Sequence, residues 1–265
     1  MSENNSDQAD PSATNDSNAT STTPSGMNAL TAHINQNKVD FALWCTRLAT
    51  ILFTLNYFIP ILGTSSNMYY KALIANAATS ALRLHQRCPN VRLSREFFGM
   101  LFLEDSAHYL MYSLIFLYSA PITLVLMPIL LFAVLHTSGY STNLIELLGA
   151  GQLNLVKWAL GFVDANSVSL LKTIAFSEIF IFPVTILMLI SGRATLMTAF
   201  VYYRFLTLRY ASRRNPYTRN TFAELRNITE TYAQKPGCPE GVRNLAFKII
   251  GLISRLAPPV VQSNQ

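Results

Sequence analysis

The sequence predicts an all-α, multi-pass helical membrane protein with interfacial amphipathic helices in a basic C-terminal tail. Three observations indicate this class. First, 51% of the 265 residues are apolar and only 13% are charged, whereas about a quarter of the residues in a soluble domain are charged. Second, several apolar stretches approach the roughly 20 residues that a helix needs to cross a bilayer. Third, residues 193–265 carry eleven basic and three acidic side chains, and such a bias favours the cytosolic side.

The chain divides into three regions by composition. Residues 1–37 are predicted to form a disordered tail, because most of them are Ser, Thr, Asn, Asp, Ala or Pro. Such a segment offers too little apolar surface to offset the entropy lost on folding. Residues 38–210 form the predicted membrane domain, and residues 211–265 form the predicted cytosolic tail.

The first apolar stretch, residues 43–62, is about one bilayer long. A single crossing here places the N-terminal tail in the lumen, where asparagines in sequons are open to glycosylation. A re-entrant hairpin instead leaves the tail in the cytosol, and the sequence does not distinguish the two. The sequons begin at Asn4, Asn15 and Asn18.

A basic segment, residues 64–107, follows with five basic and three acidic side chains. This balance predicts a cytosolic loop between two crossings. The loop contains a predicted helix that ends at Cys88, because a residue before proline disfavours the helical conformation. Small side chains at positions 75–81 suit close packing of that helix against another one.

The second and third apolar stretches are residues 109–135 and 174–190. The second has 27 residues, no charge, and prolines at positions 121 and 128. One tilted helix kinked at the prolines is the favoured interpretation, and a tight intramembrane hairpin is the alternative. Residues 194–208 are predicted either to lie in the interface or to complete a hairpin with the third stretch.

Two further helices are predicted outside these stretches. A modestly amphipathic piece lies around residues 153–163. Thr221 and Glu224 have the spacing of a capping box, which predicts that a helix starts at Thr221.

The C-terminal tail combines clustered arginines with an amphipathic helix predicted to begin near Val242. Its polar residues form a narrow stripe opposite an apolar face, as in helices that lie in a membrane surface. We therefore expect the tail to bind the anionic lipid headgroups of a bilayer, and an acidic protein is the alternative partner. Nucleic acid is excluded because no soluble basic domain precedes the arginines. The predicted membrane-surface residues are Arg209, Arg213, Arg214, Arg219, Lys248, Ile249, Leu252 and Arg255.

Polar residues in or beside the apolar stretches are the candidates for chemistry. Glu104, Asp105 and His108 resemble half of a carboxylate–histidine metal site, but no second copy accompanies them, so we interpret them as a membrane boundary. Glu178 lies inside the third stretch; a structural pairing is favoured, and a small transporter or channel that uses Glu178 is the alternative. The sequence contains no phosphate-binding glycine loop, nucleophile motif or metal-ligand cluster. It therefore predicts no enzyme, no metal and no cofactor.

Four segments resemble the transmembrane protein 33 family. They are ANAATSALRLHQR at 75–87, FLEDSAHYLMYSLIF at 102–116, YYRFLTLRYASRRNPY at 202–217 and ISRLAP at 253–258. The resemblance implies a multi-pass protein of the endoplasmic reticulum membrane and nuclear envelope, without known catalysis. It also implies reticulon-like membrane proteins and nuclear pore components as partners, and roles in reticulum organisation and the unfolded protein response.

Overall fold

The computed structural model describes residues 26–61, 63–89, 94–148, 154–212 and 214–258, and within them it is all-α. This agrees with the predicted class of a multi-pass helical membrane protein. The helices in these ranges are α1 Met27–Gln36, α2 Lys38–Phe58, α3 Ser65–Arg87, α4 Arg95–Leu101, α5 Asp105–Leu117, α6 Thr123–Leu148, α7 Asn154–Ala165, α8 Ser167–Ile190, α9 Leu196–Ala211, α10 Tyr217–Ala233 and α11 Glu240–Leu256.

Helices α2 and α3 form the first of three antiparallel hairpins. Near one end of the pair Thr79 donates a hydrogen bond of 2.8 Å to Thr46, and near the other end the rings of Tyr57 and Tyr69 lie 6.0 Å apart. The chain reverses through Gly63, whose φ of +85° is a left-handed conformation that favours glycine. Helix α3 therefore returns alongside α2, so residues 65–87 pair with the first apolar stretch and do not form a free loop.

Helices α5 and α6 form the second hairpin, which corrects the favoured interpretation of residues 109–135. The rings of Tyr109 and Phe132 lie 4.8 Å apart, although a continuous helix would separate these residues by about 35 Å. The Tyr112 hydroxyl donates a 2.8 Å hydrogen bond to the carbonyl oxygen of Val125. The chain turns between the two helices at Pro121, which has no amide hydrogen to continue a helix. The hairpin alternative is the observed structure, and the single kinked span is wrong.

Helices α8 and α9 form the third hairpin, so the segment after the third apolar stretch pairs with it. The Tyr202 hydroxyl donates a 2.7 Å hydrogen bond to the carbonyl oxygen of Glu178, and the rings of Tyr202 and Phe182 stack at 6.4 Å. Gly192 in the intervening turn has a φ of +70°. The hairpin brings the arginine-rich end of α9 back toward the beginning of α8.

The three turns lie together at one end of the bundle, which we call the distal end. The Tyr57 hydroxyl at the end of α2 is 2.7 Å from Thr123 Oγ1, and the Tyr70 hydroxyl donates a 3.2 Å hydrogen bond to the carbonyl oxygen of Ser119. The opposite end, which we call the proximal end, holds α1. There the amide of Gly26 donates to the carbonyl oxygen of Leu147 at 3.2 Å.

Aromatic side chains form the centre of the bundle. The rings of Tyr112 and Phe205 lie 5.1 Å apart, and those of Phe116 and Tyr202 lie 5.5 Å apart. None of these four side chains has exposed surface, and neither does Tyr69. The hydroxyls of Tyr112 and Tyr202 donate to backbone carbonyls, as a lipid environment requires of polar groups that have no water to bind.

Three helices of the described ranges, α2, α6 and α8, are long and apolar enough to cross a membrane. At 1.5 Å per residue the 21 residues of α2 extend about 31 Å, which matches the hydrocarbon thickness of a bilayer. The shorter α5 and α9 and the more polar α3 complete the three hairpins beside them. The three hairpins together form a bundle of six antiparallel helices.

Helix α10 begins at Tyr217, one turn before the predicted start. Thr221 is buried inside the helix, so the predicted capping box is wrong. The side-chain oxygen of Asn215 instead accepts a 3.2 Å hydrogen bond from the amide of Tyr217. Lys172 of α8 donates to Glu224 of α10 at 3.1 Å, so the region after residue 211 packs against the bundle.

Candidate functional site

A buried ion pair joins the two helices of the third hairpin near the proximal end. The Nε atom of Arg209 lies 3.1 Å from Oε1 and 3.2 Å from Oε2 of Glu178. Arg209 is 1% exposed and Glu178 has no exposed surface. The local sequence explains this placement, because Arg209 lies on the same face of α9 as Tyr202 and Phe205, seven and four residues earlier.

Helices α5 and α10 complete this cluster. Tyr109 of α5 donates a hydrogen bond to Oε1 of Glu178, and Thr218 of α10 donates to Oε2 at 3.2 Å. The Nη1 atom of Arg209 donates to Oδ1 of Asp105 at 3.2 Å. The guanidinium carbon also lies 5.3 Å from the centre of the Tyr109 ring, within range of a cation–π interaction. We call Asp105, Tyr109, Glu178, Arg209 and Thr218 the buried cluster.

The buried cluster has the geometry of a structural clamp. Both oxygens of Glu178 are occupied by hydrogen-bond donors from three other helices, and the carboxylate has no exposed surface. A charge in such a position is stable only while its partners remain. The arrangement favours the structural interpretation of Glu178 over transport, because a proton carrier has to exchange protons with water.

A second ion-pair network lies closer to the surface of the proximal end. Glu104, which precedes α5, accepts from Arg87 at the end of α3 at 2.6 Å and from Arg214 at 2.7 and 2.8 Å. Burial raises the pKa of Glu104, but the guanidinium groups of Arg87 and Arg214 outweigh it and hold the pKa below its ordinary value. The network ties all three hairpins together at this end.

His108 lies beside the buried cluster. Its Nε2 atom is 2.7 Å from the carbonyl oxygen of Phe102, and its Nδ1 atom is 3.8 Å from Oδ1 of Asp105. Within the described ranges no three His, Cys, Asp or Glu side chains are grouped so that they hold a metal ion. The structure thus brings Asp105 and Glu178 together through Arg209, and His108 packs next to them.

The arginines predicted to bind the membrane surface have different surroundings. The prediction that Arg209 binds the membrane surface is wrong, because a guanidinium that is 1% exposed and paired with Glu178 is not available to lipid headgroups. Arg214 is exposed but paired with Glu104. Arg219 is half-buried, and Arg213 lies outside the described residues. Sequence reasoning treated the arginines as one patch and missed the buried face that Arg209 shares with Tyr202.

Helix α11 exposes both of its faces. Ile249 is 47% and Leu252 is 58% exposed, and Lys248 and Arg255 are exposed on a polar stripe that borders Leu252. The helix is held by a hydrogen bond from Arg243 to the carbonyl oxygen of Ala233 and by one from the Tyr203 hydroxyl to the carbonyl oxygen of Leu256, and none of its residues is buried. Its apolar face is therefore open over the length of the helix.

Helix α7 is a second amphipathic helix with an open apolar face. Trp158 is 69% and Phe162 is 60% exposed, and their rings stack at 6.0 Å. None of its residues is buried. Lys157 and Asp164 lie away from this face, about 120° and 140° around the helix from the direction midway between Trp158 and Phe162 at 100° per residue. Helices α7 and α11 both present aromatic or aliphatic side chains outside the bundle.

Comparison with known proteins gives one consistent result. The family model described as Transmembrane protein 33/Nucleoporin POM33 matches residues 22–259. Transmembrane protein 33 of Homo sapiens is 47% identical over 243 residues, covering 90% of this chain and 98% of the relative. Krueppel homolog 2 of Drosophila melanogaster is 45% identical over 86% of this chain and 82% of the relative, and a Transmembrane protein 33 homolog of Caenorhabditis elegans is 38% identical over 88% and 87%. No solved structure matches the chain.

Proposed function

Because the chain belongs to the Transmembrane protein 33/Nucleoporin POM33 family, we propose that it organises the membranes of the endoplasmic reticulum and nuclear envelope without catalysing a reaction. The chain is a membrane protein with three candidate spans in its described part. The family is named for membrane proteins and not for an enzyme. The name of its nucleoporin member supports a location in the nuclear pore membrane for this chain as well.

The observation that carries the proposal is the open apolar face of α11. Ile249 and Leu252 are about half exposed, and Lys248 and Arg255 lie on the polar stripe that borders this face. A helix with these two faces gains free energy by lying in a membrane surface with its apolar side in the acyl boundary. Each basic residue near an anionic leaflet adds roughly 1 kcal/mol. In this proposal Arg213 and Arg219 add to that attraction.

Helix α7 extends the same mechanism to the other side of the bundle. Trp158 and Phe162 are more than half exposed, and aromatic side chains of this kind favour the membrane interface. Two amphipathic helices inserted beside one end of a six-helix bundle increase the area that the protein occupies in a single leaflet. A larger area in one leaflet bends the bilayer toward the other, which is the physical basis of the proposed role in shaping reticulum tubules.

The partners are proposed from the family resemblance. We infer that the chain acts with reticulon-like membrane proteins and nuclear pore components, and that it modulates the unfolded protein response through the same membranes. Co-purification of the full-length chain with these proteins from reticulum membranes, solubilised without crosslinking, checks the assignment. Recovery of this chain without them contradicts the partner proposal and leaves membrane shaping to be tested separately.

The membrane-shaping role is tested with the full-length chain in liposomes that contain anionic lipid. The wild-type protein is expected to draw tubules that electron microscopy counts, and I249D combined with L252D is expected to reduce their number several-fold. N244D combined with S254D is the matched control, because it adds the same two charges to α11 outside the apolar face. Equal tubulation by both double variants contradicts the role of the apolar face.

A further inference from the structure

The two ends of the bundle differ sharply in charge. Within seven residues of the three distal turns, the described chain contains two charged side chains, Lys71 and Arg193. The proximal end carries cations and anions on all six bundle helices or on the segments joining them. Its basic residues include Lys38, Arg83, Arg87, Arg95, Lys172, Arg209 and Arg214. Basic residues are retained on the cytosolic side of membranes, so this asymmetry orients the bundle with its proximal end toward the cytosol.

The surface of the distal end is apolar as well as nearly uncharged. Each of its three turns exposes large side chains: Ile61 is 79% exposed, Tyr118 is 86% exposed and Ile190 is 78% exposed. At the start of α9 Leu196 is 73% exposed. Turns that face water are normally built from polar residues, Gly and Pro. The three turns therefore expose large apolar side chains at one end of the bundle.

The start of the described chain and helix α10 both lie at the proximal end. Helix α1 contacts the end of α6 through the amide of Gly26, and the rings of His33 and Tyr140 lie 5.9 Å apart. Helix α10 reaches the same end through Glu224, which pairs with Lys172 near the start of α8. The segment that precedes Met27 and the connection between α10 and α11 therefore lie on the same side of the bundle, and α11 returns from there to the Tyr203 hydroxyl of α9.

We propose that all three hairpins enter the bilayer from the cytosolic side, that the distal end is held in lipid of the lumenal leaflet, and that both termini are cytosolic. The occupant of the distal surface is lipid, because α2, α6 and α8 have the length and composition of spans and lead directly into these turns. The re-entrant alternative for the first apolar stretch is the one that this topology requires. This topology rests on the chain being a membrane protein, and it is independent of the proposed role in membrane shaping.

Glycosylation of the native sequons tests the position of the N terminus. The full-length chain is translated into sealed microsomes, and its electrophoretic mobility is compared before and after glycosidase treatment. No shift is expected from Asn4, Asn15 or Asn18, while a lumenal glycoprotein translated in the same reaction shows that the microsomes are competent. A glycosidase-sensitive shift that disappears when the three asparagines become Gln overturns the proposal.

Cysteine labelling tests both ends directly and keeps the proposal falsifiable if the sequons are poor substrates. The three native cysteines are replaced by Ser, and single cysteines are introduced as M27C at the proximal end and as Y118C or L196C at the distal end. Two distal positions on different hairpins guard against one variant that misfolds. A membrane-impermeant maleimide is applied to sealed microsomes, to microsomes opened with little detergent, and to fully solubilised protein.

Each labelling result decides one part of the proposal. M27C is expected to react in sealed microsomes, and the distal cysteines are expected to react only after full solubilisation. Labelling of M27C that requires opened microsomes places the N terminus in the lumen and overturns the one-sided topology. Labelling of both distal cysteines in opened but unsolubilised microsomes places the turns in lumenal water and overturns the lipid assignment. Labelling of the distal cysteines in sealed microsomes overturns the orientation.

Discussion

Glu178 and Arg209 are separated by 31 residues in sequence, yet the Arg209 Nε atom lies 3.1 Å from the Glu178 carboxylate inside the third hairpin. Neither side chain is more than 1% exposed. The pair closes α8 on α9, and its further contacts with Asp105 and Thr218 extend the closure to α5 and α10. Glu178 is therefore one of the groups that hold α10 against the bundle, together with the Lys172–Glu224 pair.

Replacing Glu178 with Gln is expected to destabilise the protein strongly, because it leaves the Arg209 charge buried without its main partner. Loss of one member of a buried pair costs about 3–5 kcal/mol. Thermal unfolding in detergent micelles measures the change. E224Q is the control, because the Lys172–Glu224 pair is more than half exposed on both sides and an exposed pair contributes roughly 0–1 kcal/mol.

The same variant separates the structural role of Glu178 from transport. A structural role predicts that E178Q is less stable than the wild-type protein. It also predicts that liposomes containing the wild-type protein show no proton flux. Proton flux in wild-type liposomes, abolished in E178Q with stability unchanged, is the result that contradicts the structural role and supports a carrier.

Replacing both members of the pair is expected to cost less than replacing either one. E178L combined with R209M removes both buried charges and fills a similar volume, and well-packed apolar replacements of buried pairs are often neutral or stabilising. A double-mutant cycle on unfolding free energies measures the coupling. Additive effects of the two single variants would show that the two side chains do not act as a unit.

Acidification is expected to weaken the contact between the hairpins at Glu104. The pKa of Glu104 is depressed in the folded state, so its contribution to stability is present above the unfolded pKa and is lost as pH falls through the folded pKa. E104Q should therefore lower the unfolding free energy at pH 7 by about 1–2 kcal/mol, the scale of charged hydrogen bonds with partly exposed partners. Below the folded pKa the variant and the wild type should converge, and a constant difference across pH contradicts the assignment.

Trp158 is expected to lie in lipid at the membrane interface. The chain has two tryptophans, so the W44F variant reports on Trp158 alone, with W158F as the reciprocal control. In nanodiscs, lipids brominated near the headgroup should quench the W44F fluorescence more strongly than lipids brominated near the chain end. Efficient quenching by aqueous acrylamide, without quenching by brominated lipid, would place α7 in water.

The sequence was sufficient for the helical class, the apolar stretches and the amphipathic face of α11, because these depend on local composition and on a period of 3.6 residues. It was not sufficient for the pairing of helices. Pro121 and Pro128 are both helix breakers by local rules, yet Pro128 lies inside α6 and only Pro121 lies in a turn. The difference arises because Tyr109 and Tyr112 pack back onto α6, a long-range contact that no local pattern encodes.

The role of Arg209 shows the same limit. Its spacing from Tyr202 and Phe205 places Arg209 on their side of α9, but the burial of that side was not predicted from the sequence. The pairing of Arg209 with Glu178 was not predicted either, because the register between α8 and α9 is fixed by the length and conformation of the turn around Gly192. Charge clustering alone therefore grouped Arg209 with residues at the surface.

The short, nearly uncharged turns also bear on how the protein is made. A hairpin whose turn carries no polar domain can move laterally from the insertion machinery into the bilayer as a closed pair of helices. No hydrophilic segment then has to be translocated across the membrane. Among the described residues of the three turns, Arg193 is the charged side chain that has to be moved, at a cost of a few kcal/mol if it passes the bilayer centre. In the proposed topology, the bundle is therefore made by three successive insertions of helical pairs.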